Sequence, residues 1–81
     1  MYALVSLAEF DEYIHFMTTC IPHFSRERAT QAFFREVGTT RIVHENQLAD
    51  DPYWGDEDSP FRYVHIPEEA GYCIKLILSG H

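Results

Sequence analysis

The chain has 81 residues, of which 46% are hydrophobic and 15% aromatic, which is too apolar for a disordered chain and predicts a single domain over residues 1–81. Its formal net charge of -7 argues against direct binding of nucleic acid or of an anionic membrane, and favours a protein partner with a basic surface. No apolar run approaches the roughly 18 residues that a membrane-spanning helix needs, and the N-terminal segment lacks a signal-peptide pattern, so we expect a cytoplasmic protein.

The first predicted element is an amphipathic helix at about residues 7–20, which a short strand at Tyr2 to Val5 could precede. Ser6 and Glu9 stand at the spacing of a capping box, and Pro22 stops the helix. The apolar residues that recur at helical spacing are Leu7, Phe10, Ile14, Met17 and Ile21.

A second helix is predicted after Ser25, a favourable N-cap residue, and ends before Gly38, which suits the left-handed position that follows a helix. This helix and its exit contain four of the six basic residues of the chain, namely Arg26, Arg28, Arg35 and Arg41. We expect these arginines to form a solvated face that pairs with nearby carboxylates.

Three strands are predicted in the second half of the chain, at Thr39 to His44, Phe61 to Ile66 and Tyr72 to Leu78. The segment from Pro67 to Gly71 between the last two is typical of a hairpin loop. The predicted fold is therefore α+β, with two helices packed on a three-stranded antiparallel meander, or on four strands if Tyr2 to Val5 joins the sheet.

The predicted core follows from these periodicities and consists of Phe10, Ile14, Met17, Phe33, Ile74 and Leu76. In the last strand, Tyr72, Ile74, Leu76 and Leu78 alternate with Cys73, Lys75 and Ile77, and the first set is predicted to face the helices. The two cysteines, Cys20 and Cys73, are too few for a disulfide framework, and we expect both to be reduced, buried packing residues.

The segment from Glu45 to Pro60 is predicted to be a long loop, because Pro52, Gly55 and Pro60 interrupt it and no periodicity runs through it. It has six acidic residues and no lysine or arginine, and it contains the single tryptophan of the chain. The predicted partner-binding residues are Glu45, Asp50, Asp51, Tyr53, Trp54, Asp56, Glu57 and Asp58 of this loop, with Glu68 and Glu69 of the hairpin loop.

Metal binding and catalysis find little support in the sequence. Five histidines occur, but no pair has the spacing of a helical metal site, although His44 and His65 could be cross-strand neighbours. The acidic loop lacks the ordered ligand pattern of a calcium-binding EF-hand. The chain also has no nucleophile elbow and no glycine-rich phosphate loop, so we assign no catalytic residue, metal or cofactor and expect a protein that is not an enzyme.

Surface recognition by the acidic loop is the remaining interpretation. An extended chain advances about 3.3–3.6 Å per residue, close to the ~3.4 Å between phosphates along one DNA strand, so loop carboxylates could engage side chains that normally hold phosphates. Tyr53 and Trp54 could anchor such a contact by stacking on an arginine. The alternative is that Trp54 folds back as a lid on the core.

In size, acidity and the presence of such a loop, the chain resembles the small single-domain inhibitor proteins that phages and mobile elements make against host nucleases, above all anti-CRISPR proteins. The resemblance is one of class and involves no shared motif. It implies a protein that occupies a nucleic-acid-binding surface with carboxylates, here Asp50, Asp51, Asp56, Glu57 and Asp58. If the chain is phage-encoded, its compartment would be the cytoplasm of the host cell.

The leading hypothesis is therefore a non-enzymatic inhibitor that binds a basic surface of a nuclease or CRISPR-type complex. One alternative is a small metal- or ligand-binding domain, in which histidines and loop carboxylates converge. Another is an antitoxin-like or immunity-like subunit that contributes a hydrophobic face to an obligate partner. The sequence leaves homodimer formation open.

Overall fold

The computed structural model describes residues 1–67 and 72–77, which form three strands and three helices. In chain order they are β1 (Tyr2–Ser6), α1 (Leu7–Cys20), α2 (Arg26–Glu36), β2 (Ile42–Val43), α3 (Glu45–Leu48) and β3 (Phe61–His65). The strands make one antiparallel sheet, and α1 and α2 pack together against it. The predicted α+β class, with two main helices on an antiparallel sheet, is confirmed.

The sheet is centred on the N-terminal strand, in the order β2-β1-β3. β1 pairs with β2 at Tyr2 and Ala3, and with β3 along its whole length from Tyr2↔His65 to Ser6↔Phe61. The segment that the sequence offered only as an optional fourth strand is therefore the middle of the sheet, and the predicted meander order is wrong.

The predicted third strand does not join this sheet within the described residues. Its residues 72–77 form a single parallel bridge, between Thr39 and Leu76. The Lys75 amide donates to the Phe34 carbonyl at 2.9 Å, and the Lys75 carbonyl accepts from the Thr39 amide at 2.9 Å. The segment thus satisfies groups at the end of α2, where helix carbonyls have no partner of their own. Leu78 and most of the predicted hairpin loop lie outside the described residues.

The register of β1 assigns a different role to each face of the sheet. Antiparallel partners point to the same side, so Ala3 and Val64 share one face and Leu4 and Tyr63 share the other. The face of Ala3 packs on the helices in a core of Ala3, Val5, Phe10, Ile14, Ala29, Phe33, Phe34 and Ile66. Leu4 is also buried, on the opposite face. The sheet is thus covered on both faces. Helices α1 and α2 cover the face of Ala3, and residues outside these helices cover the face of Leu4.

The two ends of α2 follow the prediction. The Ser25 hydroxyl accepts from the Arg28 amide at 3.1 Å, and Gly38 has φ +88°. A Cβ at Gly38 would overlap the Lys75 carbonyl oxygen, so this position needs glycine for space as well as for its backbone conformation.

The start of α1 differs from the prediction, since Ser6 makes no side-chain capping bond. Ser6 is the last residue of β1 and is paired with Phe61, and the Leu7 amide donates to the Pro60 carbonyl at 3.0 Å. The chain that enters β3 therefore provides an acceptor for the first amide of α1, whereas the capping box was predicted to satisfy the Glu9 amide.

The predicted core is right in the helices and only partly right beyond them. Phe10, Ile14 and Phe33 are buried, and Met17 and Ile74 are partly buried against them. Leu76 is 57% exposed, at the position where its segment forms the backbone bridge to Thr39. Cys20, at the last residue of α1, and Cys73 are both exposed, so the prediction that they are buried packing residues is wrong.

We expect Phe33→Ala to lower the free energy of unfolding by about 3–5 kcal/mol, which is a large part of the stability of a small domain. The Phe33 side chain is 2% exposed and its ring lies 5.0 Å from that of Phe10 and 5.3 Å from that of Phe34. The matched control is Phe16→Ala, at a side chain that is 61% exposed, which should change stability by no more than about 0.5 kcal/mol. Urea denaturation measures both, and equal losses would show that the core is misplaced.

Candidate functional site

The acidic loop, residues 45–60, is a succession of turns that begins with one turn of helix. Glu45–Leu48 forms α3, so the predicted absence of helix is wrong for these four residues. Leu48 is 7% exposed, so its buried side chain packs this turn against the rest of the protein. The amides of Asp51 and Trp54 then donate to the carbonyls of Leu48 and Asp51 at 3.1 and 3.2 Å. The loop backbone is thus folded on itself rather than extended.

Asp51 joins the acidic loop to the sheet. Its Oδ2 accepts from Arg41 Nε at 2.8 Å, and Arg41 Nη2 lies 2.8 Å from the same oxygen in an ion pair. Its Oδ1 accepts from the Tyr63 hydroxyl at 2.7 Å and from the Tyr53 amide at 3.0 Å. The side chain of Asp51 is 1% exposed, whereas that of Arg41 is 48% exposed. One carboxylate therefore connects the residue before β2, the middle of β3 and the loop backbone.

These contacts keep Asp51 charged in a buried position. Burial by itself would raise the pKa of Asp51, but the hydrogen bonds from Tyr63 and Tyr53 oppose it. With the hydrogen bond and the positive charge of Arg41 added, the pKa of Asp51 lies below its ordinary value of 3.8. Burial and the bond to Asp51 raise the pKa of Tyr63 to about 12. At neutral pH the pair is a carboxylate and a neutral phenol, which suits the hydrogen bond between them.

Asp51 was predicted to contact a partner, and the structure does not support that role. Its two oxygens already accept three hydrogen bonds and form an ion pair with Arg41 within the chain, and almost none of its surface is open. Nothing in the sequence distinguishes it from the neighbouring Asp50, which is exposed. Arg41, the residue before β2, lies ten residues before the carboxylate that it pairs with. The segregation of charge along the sequence indicates such a pairing but does not separate Asp51 from Asp50.

Trp54 packs on the sheet and remains half exposed. Its ring lies 5.8 Å from that of Tyr2, edge to face, and 6.3 Å from that of Tyr63. Both tyrosines belong to the sheet face opposite the helices, by the register of β1 and β3. The indole therefore covers this second face, yet the residue is 49% exposed. Tyr53, which is 40% exposed, packs in the same way on Phe61, with ring centres 6.1 Å apart.

Arg62 holds the end of the acidic loop, a role that was not predicted from the sequence. Its Nη1 donates to the carbonyls of Phe61 at 2.7 Å, Asp56 at 3.3 Å and Ser59. Its Nη2 donates to the Glu57 carbonyl at 2.8 Å. Carbonyls that converge on one guanidinium cannot be recognised from sequence, although a lone arginine just after an acidic run is a signal that could be followed.

The consecutive acidic residues lie in a turn. The Ser59 amide donates to the Asp56 carbonyl at 3.3 Å, and Asp56 Oδ1 accepts from the Asp58 amide at 3.1 Å. Glu57 and Asp58 are exposed, as is Asp56 itself. The expected match between an extended chain and the spacing of DNA phosphates therefore does not hold here, because a turn brings successive residues closer together than an extended strand does.

A pocket of about 350 Å³ lies between the aromatic residues and this turn. Tyr53, Trp54 and Tyr63 line it, and Asp56, Glu57 and Arg62 complete it. The loop thus presents a concave surface with aromatic walls and two carboxylates. It is the part of the predicted site that the structure brings together.

The other predicted residues lie apart from this pocket. Glu45 lines a separate, more open pocket of about 650 Å³ with His44 and His65, and Asp50 lines a third with Arg41. His44 and His65 are not on paired strands, because β1 lies between β2 and β3. Glu68 and Glu69 lie outside the described residues. Within the described ranges, no group of three or more histidine, cysteine or acidic side chains could hold a metal ion.

The arginines of α2 do not pair with the acidic loop in the part of the chain that the structure describes. Arg35 lies 3.5 Å from Glu36 in an exposed contact. The guanidinium groups of Arg26 and Arg28 lie over the rings of Phe10 and Phe24, at 6.0 and 5.1 Å from the ring centres. Among the residues that the structure describes, the expected pairing of these arginines with carboxylates is thus seen only for Arg35 and, beyond the helix, for Arg41.

Comparison of the chain with protein-family models, with curated proteins and with solved structures finds no match. Over residues 1–67 and 72–77, none of the helices is both long and apolar enough to cross a membrane.

We expect Asp51→Asn to lower the free energy of unfolding at neutral pH by about 1–3 kcal/mol, because Tyr63 and Arg41 lose their charged acceptor. The pKa of Asp51 is lower in the folded chain than its ordinary value of 3.8, so its contribution is present above that value and is lost as pH falls through the folded-state pKa. The stabilities of the wild type and the variant should therefore converge below about pH 4. Urea denaturation from neutral pH to about pH 2 measures this convergence.

Glu57→Gln is the matched control, since it neutralises an exposed carboxylate of the same loop. It should leave the neutral-pH stability within about 0.5 kcal/mol of the wild type. A gap between wild type and Asp51→Asn that stays constant from neutral to acid pH would contradict the assigned charge state of Asp51.

Proposed function

We propose that this chain is a non-enzymatic binding protein whose acidic loop engages a basic, nucleic-acid-binding surface of a protein partner. The observation that carries the proposal is the half-exposed Trp54, held on the sheet by Tyr2 and Tyr63 and lining one pocket with the exposed Glu57. Exposed aromatic side chains with fixed positions are typical of the residues that dominate protein interfaces.

The charge of the loop supports a basic partner. The cations that contact the loop are Arg41 and Arg62, and both are engaged within the chain, by Asp51 and by backbone carbonyls. In the described residues, no ion pair forms with Asp50, Glu57 or Asp58. These three carboxylates are thus available for ion pairs with a partner, and the net charge of -7 adds attraction at longer range.

The kind of partner follows from the chemistry of nucleic-acid-binding surfaces. Such surfaces present arginine and lysine side chains to phosphates, and a carboxylate forms the same kind of charge-assisted hydrogen bond to these side chains as a phosphate does. The resemblance in size and acidity to anti-CRISPR proteins supports a nuclease or CRISPR-type complex as the target. An inhibitor of this kind acts by occupation of the surface and needs no catalytic group.

The test begins with capture of a partner from a lysate and continues with binding kinetics at low and high salt, about 0.05 and 0.5 M. The double variant Glu57→Lys with Asp58→Lys should slow association by roughly tenfold or more and should abolish competition with nucleic acid, because long-range attraction is lost. Raising the salt should slow association of the wild type in the same way.

The control is Asp11→Lys with Glu12→Lys, which changes the net charge equally at exposed positions of α1. This control should bind nearly as fast as the wild type, and both variants should melt within a few degrees of it. Equal slowing by the two double variants would mean that only net charge matters and that the loop is not the recognition surface.

A further inference from the structure

The pocket beside Trp54 has the shape and chemistry to receive one side chain of the partner. Its volume of about 350 Å³ is near the lower limit of pockets that hold ligands, which are roughly 300–1,000 Å³. Tyr53, Trp54 and Tyr63 form apolar walls, and Asp56 and Glu57 add negative charge. A long cationic side chain matches both properties.

We infer that this pocket binds an arginine side chain of the basic partner in preference to a lysine. The inference rests on the proposed function and names the residue type that the acidic loop recognises. A guanidinium is planar, stacks on aromatic faces and forms two parallel hydrogen bonds to a carboxylate, whereas an ammonium is a compact and strongly hydrated charge.

The aromatic wall is held in place before any partner arrives. Trp54 is supported by Tyr2 on one side and by Tyr63 on the other, with ring centres 5.8 and 6.3 Å away. Tyr63 is fixed in turn by its hydroxyl bond to Asp51 at 2.7 Å. Because the indole remains 49% exposed, a planar cation can stack on it with little rearrangement of the loop.

Arg62 also lines the pocket and bears on the choice between arginine and lysine. Its guanidinium is used by the carbonyls of Asp56, Glu57, Ser59 and Phe61, so it shapes the pocket and does not fill it. Its charge partly offsets the two carboxylates, so attraction of charge alone is weakened at this spot. Stacking on Trp54 must then supply a larger share of the binding, which favours arginine.

The experiment compares hexa-arginine and hexa-lysine peptides as probes for the wild-type chain. Trp54 is the single tryptophan, so its fluorescence reports binding at this pocket directly. We expect hexa-arginine to bind roughly fivefold or more tightly than hexa-lysine, with the preference retained at about 0.3 M salt, where attraction of exposed charges is screened.

Trp54→Leu, measured by calorimetry, should bind both peptides about equally. Phe16→Leu is the control, because it removes an exposed aromatic ring from α1, and it should keep the preference. If Trp54→Leu proves unstable by circular dichroism, Glu57→Gln serves as a second variant at an exposed position, and it should reduce the arginine preference about twofold or more.

The outcomes separate this inference from the proposed function. Equal, salt-sensitive binding of the two peptides that is lost in Glu57→Lys with Asp58→Lys would overturn the arginine pocket and leave the acidic loop as the recognition surface. An arginine preference that survives in Trp54→Leu, or in Glu57→Gln where that variant is used, would also overturn the pocket. No binding of either peptide at low salt would overturn both proposals.

Discussion

The buried carboxylate of Asp51 is the contact on which the position of the acidic loop depends. It accepts one hydrogen bond each from Arg41, Tyr63 and the Tyr53 backbone, forms an ion pair with Arg41, and so holds the loop against both edges of the sheet. A buried charge is costly unless it is paired and its oxygens are satisfied, and here both conditions are met. Asp51 thus fixes the point in the loop where the helical turn has ended and the aromatic residues that cover the sheet begin.

This contact links the fold to the proposed recognition surface. The helices bury one face of the sheet, and the loop covers the other with Trp54, which packs on Tyr2 and Tyr63. The same indole therefore contributes to stability and stays available to a partner. Arg62 holds the end of the loop in a comparable way, because it donates hydrogen bonds to backbone carbonyls there. The side chains of Glu57 and Asp58 remain exposed.

Features that depend on neighbouring residues could be predicted from the sequence. The two main helices, the Ser25 cap and the left-handed Gly38 follow from local periodicity and backbone preference, and they are as expected. The acidic and aromatic character of the loop could also be predicted from its composition. Each of these features depends only on the residues of its own segment.

Features that depend on distant pairing could not be predicted in this way. β1 is only five residues long, yet it lies at the centre of the sheet. Its position depends on partner strands that come from far along the chain. Leu76 was placed in the core by alternation, but its backbone pairs with Thr39 and leaves the side chain exposed. The burial of Asp51 depends on Arg41 and Tyr63, which lie ten and twelve residues away, so the sequence could not separate it from Asp50.

The most direct test of the account is amide hydrogen exchange at Tyr53, whose N–H donates to Asp51 Oδ1. If Asp51 holds the loop on the sheet, Asp51→Asn should speed exchange at Tyr53 by about tenfold or more beyond any change at the Val37 amide, which bonds within α2. An equal change at the two amides, or none at Tyr53, would contradict the claim that this carboxylate positions the recognition surface.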